Sequence, residues 1–353
     1  MAASLVLLAA TACKPSGGDA DDGRSQVLRA FPETAEIAMY FDQGAMSDSA
    51  FSKAVEAMQE DLPEAEATDE MSDRIEEITG LENGDITEFV LAVSGLEDAG
   101  VDPSAVKLSS AIHAAKPVTA EQIVQLVSYL AEENGESVEL TVTVGEGVDY
   151  IEFPEDDELP DLYAAVVTGE SWTTVFFGDK PSVEASLARE TGSVPAALKA
   201  PSDGLLVGEQ GWISVILPES VRAQLPQFSA MAEQMAPQMG PGLSKINSLE
   251  SLGVAFRTGD ALDMAVGFNL GSEEDAEAVT AVLNNQLISF AKVMVSGGTP
   301  EPLDLLNSLS AAQSEDSAVL SLTMTVEDLK QLQTQMLDFF PGGGMGPMGV
   351  PGQ

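Results

Sequence analysis

Thr119 with Gln122, and Ser272 with Asp275, each stand in front of a helical apolar run, and this recurrence constrains the fold more than any other feature of the chain. In both places a hydroxyl suited to capping a helix precedes an amide or acidic residue at the third helical position. Behind Thr119, Ile123, Val127 and Leu130 share one helix face. Behind Ser272, Ala276, Val279, Leu283, Leu287, Phe290 and Met294 recur every three or four residues. The upstream pattern repeats as well. A β-like run over 36–41 is followed by helical patterning around Phe51, Val55 and Met58 and over 70–79. Strand-like segments at 86–93 and 105–115 then form a hairpin with a long connection. The second copy starts with a run over 211–217, continues into a helical stretch bearing Phe228, Met231 and Met235, and then pairs 252–257 with 261–270 across the tight Thr258-Gly259-Asp260 turn. Further strand-like sequence closes each copy, over 137–153, 162–167 and 171–177 in the first and over 317–325 in the second. A helical pattern follows in each, over 178–189 and 326–340.

Hairpin-paired strands with helices between them imply an α+β protein of two related modules, each an antiparallel sheet with helices packed on one face. The modules expected from composition are 31–198 and 204–340, with the boundary in the 192–204 segment, which is rich in Pro, Gly and Ser. Residues 13–30 read as a flexible linker, and 341–353 as a disordered Gly/Pro/Met tail that cannot form a core. The layout resembles repeat-built bacterial envelope proteins.

The N-terminal apolar run, about 12 residues, falls well short of the roughly 20 that a spanning helix needs and suits a signal-peptide h-region. It ends in Ala10-Thr11-Ala12-Cys13, small residues in front of the only cysteine in the chain. This ending resembles that of a bacterial lipoprotein signal peptide. The resemblance implies removal of residues 1–12, attachment of a diacylglyceryl group to the thiol of Cys13, and a mature chain held on a membrane by its acyl chains. It departs from the pattern in having no Lys or Arg before Cys13. Ala10-Thr11-Ala12 also fits an ordinary A-x-A secretory cleavage site, which would release the chain without lipid. Lys14 is not the aspartate that retains lipoproteins at the inner membrane, so the resemblance implies an outer-membrane protein facing the periplasm in an organism with two membranes.

Charge narrows the possible partners. With 58 acidic against 15 basic residues the net charge is −43, which opposes both nucleic acid and adsorption onto anionic lipid. Attachment to a membrane therefore falls to the acyl chains at Cys13. The lone cysteine excludes an intramolecular disulfide and a CxxC site, and the lone His113, placed in a predicted strand, excludes HExxH zinc centres. No P-loop or G-x-S-x-G sequence is present. Gly344-x-Gly346-x-x-Gly349 fits the dinucleotide pattern only within the Pro-containing tail. The expectation is a protein without a cofactor.

Two stretches remain as candidate sites. The acidic loop Glu155-Asp156-Asp157-Glu158 with Asp161 offers oxygen ligands for a hard cation, although it lacks EF-hand order and first reads as a solvated loop. Phe228, Met231, Met235 and Met239 form a stripe interrupted at Pro237, which reads either as a buried helix face or as a Met-lined surface for an apolar ligand. Together these features point to a non-catalytic binding or scaffolding protein of the cell envelope. The alternatives are an envelope hydrolase using paired carboxylates and a carrier of lipids or other apolar ligands, and the partners in view are the membrane and an envelope protein or apolar ligand.

Overall fold

A computed structural model describes residues 26–59, 65–82, 84–98, 105–154, 162–190, 210–235, 241–289 and 305–339, with a few positions between 192 and 205. Strands β1 (Ile37–Asp42), β2 (Ile86–Ser94), β3 (Lys107–Ala114), β4 (Thr141–Val144), β5 (Asp149–Glu152), β6 (Leu162–Thr168) and β7 (Thr173–Asp179) belong to the first module. Strands β8 (Gly211–Ile216), β9 (Ser251–Thr258), β10 (Ala261–Asn269), β11 (Ser310–Ser314) and β12 (Ser317–Thr325) belong to the second. All twelve join one sheet in the order β11-β12-β10-β9-β8-β1-β2-β3-β7-β6-β5-β4, with every neighbouring pair antiparallel.

The joint between the modules is β1 against β8, where Tyr40 pairs with Trp212 and Phe41 with Gly211. On either side of it the order repeats. β1, β2, β3 and β7 fan out one way, and β8, β9, β10 and β12 the other. The sequence repeat is therefore a structural one, and the two copies share a single sheet. β11 is an addition to the sequence reading. Its Ser-Ala-Ala-Gln-Ser sequence has no β-branched residue, and it is a strand because its backbone pairs with β12.

Helices of the first module are α1 (Gln43–Ser47), α2 (Ala50–Gln59), α3 (Ala65–Thr79), α4 (Ala120–Glu133) and α5 (Lys180–Ala188). Those of the second are α6 (Glu219–Arg222), α7 (Leu225–Met235), α8 (Glu273–Val282), α9 (Leu305–Ser308) and α10 (Val326–Phe339). The two caps read from sequence hold. Thr119 and Gln122 form a reciprocal capping box on α4, and the Ser272 side chain accepts from the Asp275 backbone at the start of α8. α8 continues into a π-helical turn over Leu283–Ile288.

α4 and α8 lie on the same face of the sheet. Ile123 and Val124 of α4 pack with Ala164, Val166, Val175 and Phe177, while Ala276, Val279 and Leu283 pack with Leu252, Phe268 and Ala318. The opposite face carries the largest core, in which Tyr40, Val90, Ala111, Phe176 and Trp212 pack with Phe31 and with Val183 of α5. The one-sided helix layer expected from sequence thus describes α4 and α8, whereas α5 covers the other side. Between α4 and α8, the six central strands present an apolar floor of half-buried side chains. Ile112, Phe89, Phe41, Phe256 and Met264 lie in register across it. Gly211 interrupts this row for a physical reason. A Cβ there would come within 2.1 Å of the Phe256 ring, which leans across the glycine to reach 5.3 Å from Phe41.

Candidate functional site

α7 carries the candidate stripe, and its orientation is the reverse of the one that amphipathicity predicts. Leu225 packs against the core of the second module, and Ser229, one turn on, is buried with its hydroxyl donating to the Pro226 carbonyl at 3.1 Å. Residues four apart share a helix face, so Leu225 and Ser229 define the inner side. Phe228 and Met231 fall outside it and are 57% and 53% exposed. The buried-face reading of the stripe is therefore corrected for these two residues. Met235 is the last residue of the helix that the structure describes, and Pro237 lies outside the described residues. Met239 lies outside the described residues.

Val221 of α6, 40% exposed, belongs to the same short stretch as Phe228 and Met231. Among the described residues the other large apolar side chains this exposed are Leu287, in the π-helical turn after α8, and Val144, on the edge strand β4. Exposed single hydrophobics are ordinary on protein surfaces, but several in one segment with a serine turned inward are not. A shallow cleft between α3 and α4 is lined by Ile78, Val124 and Tyr129, with the Arg74 guanidinium 5.3 Å over the Tyr129 ring. Arg74 is also held by Glu77 on its own helix.

The sequence reading missed a buried polar row at one end of the large core. The Tyr40 hydroxyl donates to Glu88 Oε1 at 2.8 Å, Glu88 stands opposite His113 on β3, and His113 Nδ1 shares a 2.8 Å hydrogen bond with the Thr174 hydroxyl. Trp172 packs on the imidazole with ring centroids 5.6 Å apart. Glu88 and His113 are 4% and 6% exposed, so they are closed to a substrate and read as a structural polar network that sets strand register. Strand parity was the signal available: Glu88 alternates in phase with Val90 and Ala92, both core residues.

Other charged groups near the sheet are tied into the fold. Lys116 reaches the buried Asp85 at 2.7 Å and Glu82 at 2.8 Å, and hydrogen bonds to these two carboxylates push its ammonium pKa up. Asp263 sits between Arg257 and the Thr323 hydroxyl. Burial there would raise its pKa, but the hydrogen bonds from both partners outweigh it and hold the carboxyl below its usual range. Lys245 lies 2.6 Å from Asp275, and its hydrogen bond is the main cause of a lowered Asp275 pKa. That pair ties the 3-10 segment Pro241–Ser248 to the start of α8.

Among the described residues, no group of three or more His, Cys, Asp or Glu is placed to hold a metal ion, and no helix is long and apolar enough to cross a membrane. The acidic candidates Glu155, Asp156, Asp157, Glu158 and Asp161 lie outside the described residues, as does Cys13. Comparison with known proteins yields no match: no family model fits the sequence, and no curated protein or solved structure is significantly similar to it.

Proposed function

We propose that this chain is a cell-envelope protein anchored through acyl chains on Cys13, whose two-module body serves as a non-catalytic binding or scaffolding platform. The observation that carries the binding role is the outward apolar face of α6 and α7, where Phe228 and Met231 stay more than half exposed while Ser229 is turned inward. A helix selected only for packing would place these residues the other way round. The continuous sheet suits a platform, because β1 and β8 tie the modules through backbone hydrogen bonds and through stacking of Trp212 on Phe31 and Tyr40 at 5.7 and 6.3 Å. In an organism with two membranes, Lys14 after the modified cysteine favours the outer membrane, with the body in the periplasm.

Intact-mass measurement of the chain purified from its envelope tests the anchor. Loss of residues 1–12 with a diacylglyceryl addition at Cys13 is the expected result, and an unmodified Cys13 overturns it. Screening glycans and esters tests the non-catalytic assignment, which would be lost if turnover were found and then abolished by neutralising one carboxylate pair. The exposure of Phe228 and Met231 also favours a second reading, carriage of an apolar ligand. Native mass spectrometry showing a stoichiometric co-purifying lipid would support that reading over a platform.

A further inference from the structure

We propose that the outward face of α6 and α7 rests on the surface of a lipid bilayer, giving the body a second point of contact beside its acyl anchor. The inference builds on the anchored binding protein described above, but its test does not depend on the anchor.

Charge supports the choice of partner. From the start of α6 to the end of α7, residues 219–235, the charged side chains are Glu219, Arg222 and Glu233, a net charge of −1 in a chain whose net charge is −43. Membrane surfaces are commonly negative, and exposed charges interact over a Debye length of about 8–10 Å. An acidic surface is pushed away over that distance. The α6–α7 stretch is a part of the body that approaches with little net negative charge, and it presents Val221, Phe228 and Met231 as it does so. With no basic cluster there, contact proceeds by partial burial of apolar side chains in the interfacial layer.

The tether permits this orientation. From Cys13 to Gln26, the first described residue, there are 13 residues, which span at most about 45 Å at roughly 3.3–3.6 Å each. A sheet with helices on both faces is about 30–35 Å thick, given a helix diameter of roughly 10–12 Å, and the extended tether still exceeds that. The anchor therefore constrains neither face of the body, and the apolar segment can select the one that turns to the lipid. Held on the membrane by its tether, even a weak contact works at high effective concentration.

Two other occupants fit less well. A second copy would bring together two bodies of the same high negative charge, over a patch of a few side chains where a stable dimer buries about 800 Å² per partner. A single bound lipid molecule needs a concavity that encloses most of its surface, whereas Phe228 and Met231 project from a helix with more than half of their surface in solvent.

Fluorescence quenching in the full-length chain decides the matter. Phe228→Trp places a reporter on the proposed face, and Val144→Trp places one at an exposed apolar position away from it, on edge strand β4 of the first module; both are read as differences from the parent chain, whose own tryptophans are Trp172 and Trp212. With phosphatidylcholine vesicles brominated in the acyl chain, F228W emission is expected to shift to the blue and be quenched, while V144W is unchanged. Replacing part of the phosphatidylcholine with an anionic lipid is expected to weaken the effect. Val221→Ser with Met231→Ser in the F228W chain should lower vesicle partitioning by about 10-fold or more, given the apolar area lost. Absence of quenching at F228W overturns the proposal, as does equal quenching at V144W. Quenching of F228W by a brominated fatty acid kept below its aggregation threshold also overturns it, in favour of a carrier. An unmodified Cys13 in the native protein would remove the anchor and leave these outcomes standing.

Discussion

The second helix after the opening strand of each module meets solvent in opposite ways. In α2 the first-turn Phe51 is buried at 6% exposure, whereas Phe228 in the first turn of α7 is 57% exposed. Their surroundings differ in the same sense. Residues 31–198 carry 37 acidic against 6 basic side chains, and residues 204–340 carry 17 against 5, a net charge of −31 against −12. The first module is solvated by its charge, with Asp73, Glu76, Glu77, Glu132 and Glu133 exposed on α3 and α4. The helices themselves are equally acidic, with 11 Asp or Glu in 53 residues against 9 in 43, so the excess charge of the first module lies outside its helices, while the second leaves Phe228 and Met231 outside. One topology, used twice, has thus produced a module facing water and a module with a surface suited to contact.

Trp212→Ala is the most severe way to break this comparison, because the ring belongs to the core shared by both modules. It should cost about 3–5 kcal/mol, read as a drop in the urea midpoint. If the modules are one cooperative body, circular dichroism and near-ultraviolet signals will fall together. Separate transitions would show that the joint is weaker than its packing suggests. Phe51→Ala should cost about 3 kcal/mol by the same measurement, since it opens a cavity under α2.

The caps provide a finer comparison. Thr119→Ala removes one arm of a reciprocal box, and Ser272→Ala removes a single side-chain hydrogen bond. Each should cost about 1 kcal/mol, with the larger loss at Thr119, and equal losses would show that Gln122 adds nothing. Lys245→Ala tests the second module at its acid end. Asp275 has its folded pKa lowered below the unfolded value of about 3.9. The stabilisation from that pair is therefore fully present above the unfolded pKa and is lost as pH falls through the lowered one. The variant should lose a little stability at pH 7, and the difference from the parent should shrink as pH falls below the ordinary carboxylate range. Smallest of all, Phe228→Ser with Met231→Ser should change stability by no more than about 0.5 kcal/mol, because neither side chain supports the core. A large loss would mean that this face is structural and would remove the basis of the contact surface.

Much of the fold was legible because its signals are local. The β9–β10 hairpin follows from alternation on both sides of Thr258-Gly259-Asp260, and α4 and α8 follow from their caps and from apolar residues three or four apart. The strand β11 was not legible, since pairing with β12 and not side-chain preference makes it a strand. Glu88 went unrecognised as a core residue because a glutamate is ordinarily a surface residue, and its burial depends on Tyr40 and on its neighbour across the sheet, His113. The candidate stripe was legible as a pattern of residues, but not in the direction it faces.

By itself, the sequence determined the two copies, their caps and turns, the unequal distribution of charge between them, and an N-terminus ending in the chain's only cysteine. These depend on neighbours a few residues apart or on composition, which every conformation of the chain shares. Only the tertiary structure decided that β1 pairs with β8 across about 170 residues, that Glu88 and His113 are enclosed, and that α7 turns Ser229 in and Phe228 out. Each of these depends on which surfaces meet when distant segments compete for the same core, and helical or strand periodicity is the same whichever surface wins.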